Sequence, residues 1–410
     1  MVVLQVNKFF HPRAGAETAF LQTRDLLGER GHEVVDFAMR HPANLESPYA
    51  RYFAPARAYD GDARLGRRMR DAASSLYSWK ARRSLAALLD ARRPDVAHLH
   101  NVYHQLTLSV IDELARRRIP IVLTLHDWKI ACPAYTLFTE GAPCRRCVRG
   151  SVANAVAHRC VKGSALASVL AAAEAAVARR RGSYAKVQRF IAPSRFAAGV
   201  AGMAGVAPGR VAYVPNFLAD AELSARPAEG PREPAFLYAG RLEETKGIRQ
   251  LLAAFARVDA PAALRVAGAG PLEDEVRAAA ARDRRIAYLG RVGRDDVLRE
   301  LERARAVVLP SIWEDNGPLA ILEAQARGAA LVVSDRGGPP EFVRDGESGL
   351  VVPADDVGAL DEALRRLAAD PELARRFGER GRRDVEAEHT AQRHYERLVS
   401  VYSQAIAEVS

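Results

Sequence analysis

The feature that most constrains this chain is a repeated alternation of short β-branched runs with Ala-, Leu- and Arg-rich stretches of helical character. Alternation of this kind builds parallel sheets, because a parallel neighbour is reached only by a long crossover, usually a helix. In the first half the predicted strands are Val2–Asn7, Glu33–Ala38, Val96–His100, Ile121–His126, Arg189–Ala192 and Val211–Val214. In the second half they are Ala235–Ala239, Leu264–Ala267, Ile286–Leu289, Ala306–Leu309, Ala330–Ser334 and Gly349–Val352. Each half has the elements of a complete Rossmann-like sheet. Length gives the same answer, since 410 residues exceed what one hydrophobic core usually holds.

The predicted boundaries follow from breaks in the alternation. Residues 1–218 form a first domain and residues 235–388 a second. The Pro-, Glu- and Ala-rich stretch at 219–234 reads as a linker. One segment interrupts the first domain: residues 41–93 carry Arg and aromatics (Tyr49, Tyr52, Phe53, Tyr59, Tyr77, Trp79) without a clear strand. Such an insertion suits either a lipid-docking surface or helices packed on the sheet.

Composition excludes some classes. The first apolar run, Val2 to Val6, is only strand-length, so no signal peptide is read there. The longest apolar stretch, Ala165 to Ala178, is interrupted by Ser168 and Glu174 and is too short for a bilayer span. The expected location is therefore the cytoplasm. Charge is uneven: residues 1–218 carry 32 Lys+Arg against 16 Asp+Glu, the remainder 28 against 34. A basic first half fits an anionic partner such as a membrane surface or a phosphate-bearing acceptor, and an Arg-rich composition alone would give the same count.

The densest chemical signal lies in the second half. A strand runs into Gly240-Arg241-Leu242 and then Lys246-Gly247, which puts two cations at the carboxyl edge of a sheet, where α/β proteins bind ligands. Two fixed cations there suit a pyrophosphate. Strand Ala306–Leu309 leads into Pro310-Ser311-Ile312-Trp313-Glu314-Asp315-Asn316-Gly317-Pro318-Leu319 and a helix. Free N–H groups at such a helix start form an anion site. Asp315 and Glu323, eight residues apart around that start, are placed to hold hydroxyls of one ligand. The Gly268-Ala-Gly270-Pro271 turn lacks the third glycine of a dinucleotide fingerprint and reads as a structural turn.

These strings, with Leu289-Gly290, Glu323-Ala324 and Gly328, closely resemble the retaining glycosyltransferase family 4, which has the GT-B fold. In the first half Gly15-Ala16-Glu17, Leu125-His126-Asp127, Ile191-Ala-Pro193-Ser194 and Val214-Pro215-Asn216 extend the resemblance over nearly the whole chain. It implies two facing Rossmann-like domains with a cleft between them, and a C-terminal helix (389–410) crossing back to the first. Arg241 and Lys246 resemble the cations on the donor diphosphate, and Glu323 the acid on the nucleotide ribose. Asp315 resembles the residue that holds the sugar hydroxyls. The backbone from Asn316 through Gly317 and Leu319 to Ala320 would meet sugar and phosphate. Gly290, Arg291 and Val292 resemble the nucleobase wall, His126 the histidine near the reacting centre, and Gly15 the glycine beneath the phosphates. Two departures stand out. The family usually has Glu at the position of Asp315, with Glu314 here as a rival acid, and Gly15 lacks the commoner glycine neighbour.

All four cysteines, Cys132, Cys144, Cys147 and Cys160, fall within 29 residues, in a loop spanning 130–162. Cys144-Arg-Arg-Cys147 has metal-knuckle spacing, so the cluster reads either as a structural zinc site or as four unliganded thiols in an ordinary loop, with His158 as a substitute ligand and an iron–sulfur cluster as a weaker option. His100 and Asn101, after a strand end, are candidates for an acceptor pocket.

The expected activity is retaining transfer of a sugar from a UDP- or GDP-linked donor to a hydroxyl acceptor. No cofactor is required for catalysis, since cations and a helix end would stabilise the leaving diphosphate. The basic half fits a lipid-diphosphate-linked acceptor at the inner membrane face, in polysaccharide or glycolipid assembly. Two rival readings are a GT-B sugar-nucleotide epimerase and a zinc-dependent nucleic-acid-binding protein. The absence of a basic recognition helix counts against the second, so no nucleic acid partner is expected.

Overall fold

The structure, a computed structural model, describes residues 1–56, 76–224 and 230–409. Tyr59 with the rest of 57–75, and residues 225–229 of the predicted linker, lie outside the described residues. The chain divides into two compact units. The first comprises Met1–Glu140, Cys144–Pro215 and His394–Ser410, and the second Gly141–Pro143 and Asn216–Arg393. The linker expectation needs correcting at its start. The second unit begins at Asn216, and Asp220–Ser224 is helical rather than an open connector. The guanidiniums of Arg327 and Arg382 bond the carbonyls of Glu222 and Leu223, fastening that helix to the second unit.

In the first unit six strands form one parallel sheet: β1 Val2–Val6, β2 Glu33–Phe37, β3 Val96–Leu99, β4 Ile121–Thr124, β5 Arg189–Ala192 and β6 Val211–Tyr213. Their order is β2-β1-β3-β4-β5-β6. In the second, β7 Glu233–Ala239, β8 Ala263–Ala267, β9 Ile286–Gly290, β10 Ala304–Leu309, β11 Ala330–Ser334 and β12 Gly349–Val352 pair as β9-β8-β7-β10-β11-β12. All twelve predicted strands exist. Their runs are apolar because helices cover both faces of a parallel sheet, and β3, β4 and β11 are buried at every position.

Helix starts are chemically marked. Ser78 Oγ accepts from the Ala81 amide at 3.1 Å and Ser194 Oγ from Ala197 at 3.1 Å. Asp370 caps the helix that opens with Pro371. Ser194, part of the family-like string, is thereby explained as a buried N-cap. Within the insertion, Tyr49 and Phe53 pack with Phe10, Phe20 and Ala38, and Trp79–Ala91 forms a helix against Ser109–Arg116.

The C-terminal helix, α1 here, runs Ala391–Ala407. Leu398, Val401, Tyr402 and Ala405 enter a first-unit core with Val3, Val96, Val122, Ile191 and Val214. The predicted return of residues 389–410 is thus a packing fact: α1 covers one face of the first sheet. Among the described residues no helix is long and apolar enough to cross a membrane.

Candidate active site

In the second unit the site is built by the loops after β7 and β10, neighbouring strands of one parallel sheet. Such strands end at the same edge, so residues far apart in sequence meet there. Lys246, at the end of the first loop, makes a close ion pair with Asp315 of the second. Its ammonium also stands 5.1 Å from the centroid of the Trp313 ring. Burial pushes the Asp315 carboxyl up. The Lys246 charge and the Asn316 amide, which donates to Oδ1 at 3.0 Å, outweigh it and hold the group below its ordinary range.

Two glycines let the loops meet. Gly247 has φ +71°, and a Cβ there would lie 1.9 Å from the Pro310 carbonyl oxygen. Gly337 has φ +73°, and its Cβ would lie 2.1 Å from the Asp315 carbonyl oxygen. The Thr245 carbonyl accepts from Ile312 at 3.0 Å, and Ser334 Oγ donates to the Ser311 carbonyl at 2.5 Å. The turn at Gly268–Pro271 is structural, as expected: Leu242 donates to the Ala269 carbonyl at 3.1 Å and accepts from the Leu272 amide at 3.0 Å.

Arg241 stands exposed at the same edge, paired with Glu243 at 2.9 Å. Glu314 and Asn316 are buried on either side of the half-buried Asp315. Asn216 Nδ2 donates to the Gly317 carbonyl at 2.8 Å, which gives the Val214-Pro215-Asn216 string a physical role. Leu319 and Ala320 open helix α2 (Leu319–Ala326), whose first turn has no side-chain cap; the Ile321 amide donates to the Pro318 carbonyl at 3.1 Å, and a helix start of this kind suits an anion. Gly290 ends β9, with Arg291 exposed and Val292 half-buried beyond it.

Glu323 is held by a group that sequence reasoning missed. Arg294 binds it at 2.8 Å and also pairs with Glu222. Burial raises the Glu323 carboxyl against the opposing pull of Arg294. Trp313 and Arg294 gave no signal, because aromatic and Arg positions are common and only contact assigns them.

In the first unit His126 follows β4. Its Nε2 lies 2.8 Å from His100 Nδ1, and the two rings stack with centroids 5.1 Å apart. Burial and then the nearby Lys8 charge bring the His126 pKa down to about 4, so the ring is neutral at pH 7. His100 is 2 % exposed, and its Nε2 lies 3.0 Å from Gln5 Oε1. Both ring nitrogens of His100 are thus engaged within the first unit. Asn101 is also buried, its amide donating to Asn7 Oδ1 at 3.0 Å and its carbonyl accepting from Lys8 at 2.8 Å. Gly15 opens a helix in exposed backbone, and a Cβ there would meet nothing within 4 Å. No local packing demands a glycine at that position.

The four cysteines are free thiols. Burial first, then Cys132 and the other two thiols, push Cys147 up to about 11. Among the described residues no group of three or more His, Cys, Asp or Glu side chains is placed to hold a metal ion. His158 pairs with Glu140 at 2.7 Å instead.

Comparison with known proteins places this geometry. Glycosyl transferases group 1 matches residues 220–384, and Glycosyltransferase Family 4 matches residues 13–222. The glycogen synthase of Mycobacterium tuberculosis is 38% identical over 157 residues, 37% of this chain and 37% of its own length. The D-rhamnosyltransferase WbpZ of Pseudomonas aeruginosa is 34% identical over 153 residues, 36% of this chain and 39% of its own. The O-antigen chain mannosyltransferase C of Escherichia coli is 31% identical over 172 residues, 41% and 46% of the two chains. Each match spans less than two thirds of the relative. Among solved structures, the sucrose-phosphate synthase of Thermosynechococcus elongatus superposes with TM-score 0.70 at 19% identity, covering 99% of both chains. Anabaena HepE in complex with UDP and glucose gives 0.66 at 15%, covering 98% of this chain and 99% of that one. At such identities the likeness is one of fold, GT-B. Because the Family 4 match alone spans just over half of the 410 residues and the group 1 match continues it to residue 384, the chain belongs to the Family 4 glycosyltransferases.

Proposed function

We propose that this chain transfers a sugar from a nucleotide-diphosphate donor to a hydroxyl acceptor, retaining the anomeric configuration and using no metal in the chemical step. The observation that carries the reading is the meeting of Lys246 and Asp315, 69 residues apart, beside Trp313 and just before an uncapped helix start. A departing diphosphate needs positive charge fixed before it leaves, and Lys246, Arg241 and the amides of α2 supply it. Asp315 would take sugar hydroxyls and Glu323 the ribose hydroxyls. Gly290 to Val292 would border the base, with Gly15 beneath the phosphates. The bond from anomeric carbon to phosphate oxygen breaks as the acceptor oxygen approaches the same face, and the hydroxyl proton passes to the departing phosphate oxygen. Gly15 and His126 belong to the first unit, so the reading draws on both halves of the chain.

UDP and glucose bound to Anabaena HepE support a nucleotide-sugar donor, and the relative named an O-antigen chain mannosyltransferase supports a place in surface polysaccharide assembly. The excess of basic residues before position 218 supports a diphosphate-bearing lipid acceptor met at an anionic membrane face.

The test is a panel of UDP- and GDP-sugars, read by thermal shift and by release of nucleoside diphosphate. A true donor stabilises the protein by mass action. Lys246→Ala is expected to cut kcat/KM by about a hundredfold while leaving the fold intact, the scale of a lost charged hydrogen bond in a dry site. Unchanged turnover in that variant overturns the assignment.

A further inference from the structure

Three histidines of the first unit lie on one buried line. In parallel strands alternate residues share a face. Gln5 pairs in register with His98, and His98 with Val122, so Gln5, His98, His100, Thr124 and His126 all follow the face that α1 covers. His98 lies within β3, and His100 and His126 follow the ends of β3 and β4. Gln5, His98 and His100 are at most 2 % exposed, and Tyr402 of α1 is fully buried.

The hydrogen bonds along this line can be read for direction. His98 Nε2 is 2.7 Å from Thr124 Oγ1, and its Nδ1 is 2.7 Å from the Tyr402 hydroxyl and 3.3 Å from Gln5 Nε2. Gln5 Nε2 also donates to the Tyr402 oxygen at 3.3 Å, which leaves the tyrosine proton for His98 Nδ1. His98 therefore carries its proton on Nε2 and donates it to Thr124. On the other side Gln5 offers Oε1, a carbonyl that only accepts. His100 must then carry its proton on Nε2, facing that oxygen at 3.0 Å, and present a lone pair at Nδ1. His126 Nε2, 2.8 Å from that lone pair, is left as the donor. In this order each ring needs only one proton.

We propose that Gln5, His100 and Tyr402 are positioning residues that fix His126 as the neutral Nε2–H tautomer, so that its Nδ1 lone pair accepts a hydrogen bond from a hydroxyl of the bound ligand. The low proton affinities agree: burial drives His98 and His100 well below the usual histidine range, so neither ring charges to break the order. His126 is a hydrogen-bond acceptor, and a neutral sugar hydroxyl is the ligand chemistry it selects. A carboxylate or phosphate oxygen would meet a lone pair and be refused. The ligand part of the inference rests on the reading that His126 borders the donor sugar; the tautomer part does not.

The test is long-range proton–nitrogen correlation NMR of the full chain labelled with ring-15N histidine, without donor, at pH 7, with His126 assigned by its loss in His126→Gln. The expected spectrum shows His126 as a neutral Nε2–H tautomer, and Gln5→Leu shows both tautomers. The same variant is expected to lower kcat with the best donor about tenfold, the scale of one misdirected neutral hydrogen bond. An Nδ1–H or charged His126 in the unaltered chain overturns the proposal, whether or not Gln5→Leu folds. Unchanged tautomers in a folded Gln5→Leu chain overturn it too. The spectra need no turnover, so the tautomer assignment can fail while the transferase reading stands, and the reverse.

Discussion

Lys246 and Asp315 hold each other across 69 residues of sequence, and each takes its role from the other. Asp315 stays ionised although half-buried, because the ammonium and the Asn316 amide outweigh the cost of burial. This bears on the neighbouring acids. Asp315 faces the cation, while Glu314 is 9 % exposed beside it. Asp315→Asn keeps the shape and removes the charge, so kcat/KM is expected to fall by about ten- to a hundredfold, the scale of one charged hydrogen bond. Glu314→Gln is expected to cost less than threefold by the same measure, since it leaves the pair untouched. Steady-state kinetics on both variants with one donor decide, and the reverse ranking would make Glu314 the sugar-binding acid. The pairing itself was not read from the sequence, which set Lys246 on the phosphates and Asp315 on the sugar rather than on each other. Trp313 and Arg294 were not readable, since nothing in their types or spacing distinguishes them from surface residues.

At the scale of elements, α1 is where a distant piece of chain completes a core. Leu398 is fully buried against β-strand valines of the first unit, and α1 also brings Tyr402 to the histidine line. Truncating a buried leucine removes transfer energy and leaves a cavity, so Leu398→Ala is expected to destabilise by about 2–5 kcal/mol. Urea unfolding followed through the buried Trp128 of the first unit measures it. A loss below about 1 kcal/mol would show that the helix merely rests on the sheet, because an emptied core position cannot be that cheap. The strands were legible because burial on both faces writes itself as an apolar run. The helix in the predicted linker was missed because Pro-, Glu- and Ala-rich sequence suits an exposed helix turn as well as a connector.

For the whole molecule, acid tests the histidine line against the ion pairs. His126, at about 4, and His98 and His100, which burial holds well below the usual histidine range, bind protons less readily when folded than when unfolded, where the ordinary value is 6.5. The unfolded chain therefore takes up protons first as pH drops below about 6.5, and stability falls with it, by about 1.4 kcal/mol per pH unit for each proton withheld. Glu113 and Glu174, held near 2 by their cationic partners against the cost of burial, contribute stability that is lost only below about 4.5. Thermal melting from pH 7.5 to 5 should thus decline below 6.5, before Glu113 and Glu174 lose their contribution, and a flat profile across that window would contradict three neutral rings. Both parallel sheets and the cation-bearing edge of the second were legible along the chain, because apolar runs, helix periods and glycine-punctuated loops are local. Which acid meets Lys246, which arginine holds Glu323 and which proton His126 keeps came only with the folded contacts. Those depend on contacts between residues tens to hundreds of positions apart, for which residue type alone carries no address.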